Sequence, residues 1–271
     1  MIVCIAGKNN IAINVSSYIL SHYTDVVICA IPNRDDEGID KWQKSYLKYI
    51  HENPWIRLSS LEEIYEMQEL MFLSLEFDRI INVEKFYSKR LYNIHFSLLP
   101  AYKGVYTSAL PILYGESESG VTLHCIDNGI DTGNIIDQIH IPLSKNETAE
   151  SLYLKYIDNG TELVIQHLEN LIYGNVMAVP QDALGSSYFS RKSIDYANLS
   201  IDLNKTAAQI DAQIRAYYFP AYQFPEVLSE RITHATITKD RSFSKAGTVL
   251  ENQEEFMRLS TVDFDIILHK K

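Results

Sequence analysis

Cysteine is scarce and dispersed: Cys4, Cys29 and Cys125 each sit inside an apolar, strand-like run, and none stands at a metal-ligand spacing. They read as small buried hydrophobes of a reducing compartment, which leaves no disulfide framework and no metal. No apolar run is long enough to span a bilayer, and the first segment lacks the basic region and cleavage site of a secretory leader. No membrane partner is expected, and the expected location is the cytoplasm. Positive charge is also short, since 24 Lys and Arg against 35 Asp and Glu give a net charge of −11, with no basic cluster. A nucleic acid is usually held by a basic face that displaces counterions, so no nucleic-acid partner is expected. A small anionic ligand needs only a few local donors and stays allowed. Gly7 has no G-x-G-x-x-G spacing around it, and there is no internal repeat or low-complexity tract.

What is present is a chain with 46% hydrophobic and 22% charged residues, enough for a substantial core. Residues 1–6 read as a strand, 11–21 as an amphipathic helix and 25–31 as a second strand, the opening of a parallel sheet with right-handed crossovers. Further strands are expected at 69–74, 79–83 and 91–95, and an antiparallel pair at 121–127 and 134–142. Residues 148–173 carry a long helical pattern, interrupted by Gly160. After Pro180 the texture changes, with a short helix over 204–217 and β-branched segments at 232–238, 247–250 and 262–268. The fold class is therefore α/β, a mostly parallel sheet in residues 1–184 with a smaller, mainly β domain in 185–271.

The most informative stretch is Asn93-Ile94-His95-Phe96-Ser97-Leu98-Leu99-Pro100. Asn93 and His95 are two apart on a strand and so share a face, and the strand must end by Pro100, which has no ladder donor. In open α/β sheets, ligands bind at that carboxyl edge. If Asp131 joins them, the three groups form an amide donor, an imidazole base and a carboxylate that orients it. An amide aimed at a developing oxyanion is worth roughly 3 kcal/mol. Such a set, without a protein nucleophile, suits direct acyl transfer between two bound substrates. Ser97 lies in no strained Gly-x-Ser-x-Gly turn, so a hydrolase triad is not expected. Calcium is disfavoured in the 127–133 loop because Gly129 stands at the third ligand position.

Asn93-x-His95-x-Ser97-Leu98-Leu99-Pro100, Tyr102-x-Gly104, Gly115-Glu116-x-x-x-Gly120-Val121-Thr122 and Asp127-x-Gly129-x-Asp131-Thr132-Gly133 occur in that order. Together they resemble the formyltransferases that use N10-formyltetrahydrofolate, specifically over residues 91–142 and more loosely over 1–173. The resemblance implies the Rossmann-like formyltransferase fold and a catalytic triad of Asn93, His95 and Asp131. It also implies a folate pocket walled by Ser74, Leu75, Glu76, Phe77, Tyr92, Asp127 and Ile130. N10-formyltetrahydrofolate is then the co-substrate, and no metal is involved.

Within that family the acceptor is set outside the triad. Glycinamide ribonucleotide formyltransferases lack a second domain, and methionyl-tRNA formyltransferases must hold a polyanion, which the acidic balance disfavours. Formyltetrahydrofolate deformylase carries an extra N-terminal domain, whereas the first strand here begins at Met1. The 102–108 and 7–10 segments are similar to those of bacterial dTDP-3-amino-3,6-dideoxyhexose N-formyltransferases. The implied substrate contacts are Lys8, Asn9, Tyr102, Lys103, Tyr106 and Tyr222, with Arg191 a further candidate; residues such as Lys8, Asn9, Lys103 and Arg191 are more often solvated surface groups. Tyr222 belongs to the aromatic run 217–225 and could stack on thymine for about 1–3 kcal/mol, or help pack the protein. The expected partner is a dTDP-amino sugar destined for lipopolysaccharide O-antigen, in a protein for which a homodimer is allowed. A methionyl-tRNA acceptor and a 4-amino sugar are the alternatives.

Overall fold

The first strand, Ile-Val-Cys-Ile-Ala-Gly, has no charged or amide side chain, as suits a strand covered on both faces. The computed structural model, which describes all residues from Met1 to Lys271, places it inside a seven-stranded sheet. In chain order the elements begin with β1 (Ile2–Gly7), α1 (Asn9–His22), β2 (Val27–Pro32), α2 (Tyr46–Glu52), β3 (Ile56–Leu58), α3 (Leu61–Ile64), β4 (Leu70–Leu75) and β5 (Leu91–His95). They continue with β6 (Lys103–Gly104), α4 (Leu110–Tyr114), β7 (Glu118–Cys125), β8 (Ile135–Pro142), α5 (Ala149–Tyr173), β9 (Tyr188–Phe189) and α6 (Ala207–Tyr217). The last are β10 (Glu226–Val227), β11 (Glu230–Ile237), β12 (Val249–Asn252), β13 (Phe256–Leu259) and β14 (Ile266–Lys270).

The chain divides into two compact units. The first comprises Met1–Gly104, Gly120–Ile141 and Lys155–Tyr188. Its sheet runs β3-β2-β1-β4-β5-β7-β8, with β3 through β5 parallel and β7 antiparallel to β5. Chain order reverses between β1 and β4, which opens a crevice at their carboxyl ends, the usual ligand edge of such sheets. One face is filled by Cys4, Cys29, Leu61, Ile64, Phe72 and Phe86 among others. α1 buries Ile11, Ala12, Val15 and Ile19. Gly160 explains its own place inside α5: a Cβ there would lie 3.0 Å from Ile11 Cδ1 and 3.3 Å from Ile94 Cγ2. The helix stays unbroken because tight packing onto α1 and β5 outweighs the propensity loss of about 1 kcal/mol.

The second unit comprises Val105–Ser119, Pro142–Leu154 and Phe189–Lys271. Its five-stranded antiparallel sheet has the order β10-β11-β14-β13-β12. Ala207, Ile210 and Ile214 of α6 pack on the inward residues Val227, Ile232, Met257, Leu259, Ile266 and Leu268. Thr206 and Gln209 start α6 with a reciprocal capping box.

Some elements differ from the sequence reading. Residues 79–83 form no strand; Ile81 and Phe86 instead drop from an irregular segment with a 3₁₀ turn (Val83–Lys85) into the sheet's core. Apolar residues there satisfy burial without joining a ladder. The last strand starts at Ile266, because Asp263 turns the chain by accepting from the backbone N–H groups of Ala207 and Phe264. The short α2, β3, α3, α4 and β13 went unread because a few residues carry too little periodicity.

Gly160→Leu should lower stability by about 1–3 kcal/mol through overpacking. Urea unfolding checks this: the midpoint should fall while its slope is unchanged.

Candidate active site

Two short strands bring four polar side chains to one place. In the β5–β7 ladder Asn93 lies opposite His124 and His95 opposite Thr122, so alternation sends all four to the same face. On the other side Asn93 is in register with Ser74 of β4. His95, Thr122 and His124 are buried, and Asn93 is half-buried. Thr122 Oγ1 donates to the Ser97 carbonyl (2.6 Å) and accepts from the Leu99 N–H (3.1 Å), which pins the chain as it leaves β5. The Leu99–Pro100 peptide is cis. Ser97 gives its own hydroxyl to the Ala101 carbonyl at 2.7 Å and is fully buried, a structural role and not a nucleophile's.

The proton positions follow from the partners. His124 Nδ1 lies 2.8 Å from the Cys125 carbonyl, which can only accept, so Nδ1 carries the proton. Its Nε2 lone pair then accepts from Asn93 Nδ2 at 3.0 Å, which fixes which way the Asn93 amide faces. Burial, and then the neighbouring His95, hold His124 down to about 4, against the pull of Asp131, so it is a neutral acceptor near pH 7. His95 differs. Its Nε2 donates to the Tyr102 carbonyl at 2.8 Å, while Nδ1 lies 3.4 Å from Asp131 Oδ2. A second proton on this ring would face the carboxylate, which stabilises the imidazolium when it forms. Asp131 Oδ2 also accepts from the Gly104 N–H at 2.9 Å.

The backbone around this cluster is strained. Asn9, Glu76, Tyr102 and Asp131 all have φ between 54° and 60°, a region that non-glycine residues seldom occupy. Each such residue costs about 1–3 kcal/mol, and such strain gathers at functional sites. Gly133 is tighter still, since a Cβ there would meet the Cys125 carbonyl oxygen at 1.8 Å.

The family model described as formyl transferase matches residues 63–168. The crystal structure of an N-formyltransferase from Helicobacter canadensis, in complex with folinic acid and dTDP-3-aminofucose, is 46% identical with a TM-score of 0.92, covering 100% of both chains. The chain belongs to the formyltransferase family. WlaRD, a sugar 3N-formyltransferase crystallised in the presence of dTDP and 5-N-formyl-THF, is 44% identical with a TM-score of 0.90, over 100% of this chain and 97% of that one. A methionyl-tRNA formyltransferase of Pseudoalteromonas translucida is 36% identical over 125 residues, 46% of this chain. The chain spans only 38% of that relative's length.

In this formyltransferase Asn93, His95 and Asp131 converge, and Tyr102 joins them through its carbonyl. Ser74, Leu75 and Tyr92 are buried, Leu75 completely. Glu76 and Phe77 lie in a loop braced by Asn33, whose Nδ2 donates to the Glu76 carbonyl (2.8 Å) and whose Oδ1 accepts from the Asp78 N–H (3.2 Å). Asp127 folds its own loop by accepting from the Gly129 N–H and the Thr132 hydroxyl, and Ile130 is exposed on that loop. Lys8 follows β1 with its N–H on the Leu75 carbonyl, and Lys103 Nζ donates to Ser186 Oγ. In the second unit the Tyr106 hydroxyl donates to the Arg191 carbonyl, and Tyr222 has a largely exposed ring 5.0 Å from that of Phe219. The sequence reading passed over His124, although Thr122 and His124 alternate with Val121 and Leu123 on one face of their strand.

His124 should make stability depend on acid. The unfolded imidazole takes a proton near 6.5 while the folded one stays neutral to about 4, so the unfolded state holds more protons in that window. Stability should fall with pH there, by roughly 1.4 kcal/mol per pH unit at most. Urea midpoints between pH 7 and pH 4 check it, and His124→Gln should flatten the profile.

Proposed function

We propose that the chain transfers the formyl group of N10-formyltetrahydrofolate to the amine of a dTDP-linked 3-amino-3,6-dideoxyhexose. The observation that carries the reading is the full-length likeness to a formyltransferase bound to folinic acid and dTDP-3-aminofucose. The Asn93, His95 and Asp131 cluster supports it, being a donor, a base and an orienting carboxylate with no nucleophile beside them. A polyanionic tRNA acceptor is disfavoured by the net charge of −11 and by the partial coverage of the tRNA-specific relative.

In this reading the folate supplies the formyl carbon and a leaving nitrogen. Main chain of Ser74, Leu75 and Tyr92 forms its wall with Glu76, Phe77, Asp127 and Ile130. Lys8, Asn9, Tyr102, Lys103, Tyr106 and Tyr222 are the candidate contacts of the sugar nucleotide, with Tyr222 stacking on the base. The neutral sugar amine attacks the formyl carbon. The second N–H of Asn93 holds the oxygen as the carbon becomes tetrahedral, about 3 kcal/mol for one good donor. With Nε2–H given to Tyr102, the mobile proton on His95 is the one at Nδ1, beside Asp131. Neutral His95 takes it from the attacking amine, and the imidazolium so formed, beside Asp131, gives it to the folate nitrogen as the carbon–nitrogen bond breaks.

Residues 1–184 would carry this chemistry and 185–271 the smaller domain, in a cytoplasmic enzyme of surface-polysaccharide synthesis, and a homodimer fits such an enzyme. A mass-spectrometric product screen of dTDP-, UDP- and GDP-amino sugars with the folate donor tests the reading. The dTDP-3-amino sugar should be formylated fastest, and His95→Asn should lose roughly 10²–10⁴-fold in turnover while staying folded. Wild-type turnover by that variant would sink the mechanism.

A further inference from the structure

Asp131 sits in left-handed backbone beside His95, in a loop that Asp127 ties from within through Gly129 and Thr132. A second grip on this turn comes from 50 residues downstream. Gln181 Nε2 donates to the Asp131 carbonyl at 2.8 Å and to the Gly133 carbonyl at 2.8 Å. Both partners are acceptors only, so the amide must present its nitrogen to them. Its oxygen is left buried without a donor, so the two donated bonds are what the amide contributes here. A short antiparallel bridge delivers the side chain: Ile135 and Val179 exchange both backbone hydrogen bonds at 2.8 Å, two residues before Gln181.

The same segment then reaches the other side of His95. Ser187 accepts from the Tyr102 N–H through Oγ (2.8 Å) and from the Lys103 N–H through its carbonyl (2.9 Å). Residues 179–187 thus brace both oxygens that flank the imidazole, Asp131 at Nδ1 and the Tyr102 carbonyl at Nε2.

We propose that Gln181 is a positioning residue for formyl transfer, holding the Asp131–Gly133 turn closed so that the Asp131 carboxylate stays between the Gly104 N–H and His95. The catalytic part of this statement rests on the formyl-transfer reading; the structural part does not. Gln181→Met removes both donors at nearly constant volume. It should lower kcat by roughly 10–100-fold, as expected when a catalytic group is misplaced by an ångström or less, with KM for donor and acceptor unchanged. Because Gln181 acts through Asp131, the same substitution in an Asp131→Asn background should cost nothing further. Independently of turnover, the Gly104 amide, which donates to Asp131, should exchange its hydrogen about tenfold faster in Gln181→Met. Gln181→Glu, read by the same measurements, serves if the methionine variant melts early. Wild-type kcat, a loss that multiplies with Asp131→Asn, or unchanged exchange at Gly104 would each overturn the proposal. If the unmodified chain formylates no acceptor, the functional reading fails, and the Gly104 exchange rate still decides whether Gln181 holds the turn.

Discussion

His95 is held between two oxygens that its own strand does not supply, the Tyr102 carbonyl on Nε2 and the Asp131 carboxylate beside Nδ1. Both oxygens belong to residues in left-handed backbone. Neither conformation would persist in an isolated loop. Each is maintained by bonds from elsewhere, to Gly104, Gln181 and Ser187, so the chemistry of one ring depends on four segments meeting.

The two histidines at this edge show how environment divides one residue type into two roles. His124, buried in the ladder with its Nδ1–H on a carbonyl, is a neutral acceptor whose work is to turn the Asn93 amide. His95 instead has a carboxylate beside its other nitrogen. Their proximity reinforces the division, since a proton on one disfavours a proton on the other.

Likeness to known proteins divides along the same line. The methionyl-tRNA formyltransferase resembles only part of the chain, whereas the sugar N-formyltransferases resemble all of it.

Sequence alone determined the α/β class, the strand carrying Asn93 and His95, and the motif that adds Asp131, because period-two alternation and a strand-ending proline act within a few residues. It also exposed the family, since the glycines and carboxylates of the 127–133 loop stand at fixed spacings. Only the tertiary structure decided that His124 faces Asn93, that the Tyr102 carbonyl meets His95, and that Gln181 grips the turn of Asp131. Those contacts join residues 31, 7 and 50 positions apart through ladder register and main-chain oxygens. Main-chain groups are the same at every residue, so no side-chain pattern can announce which of them will be used.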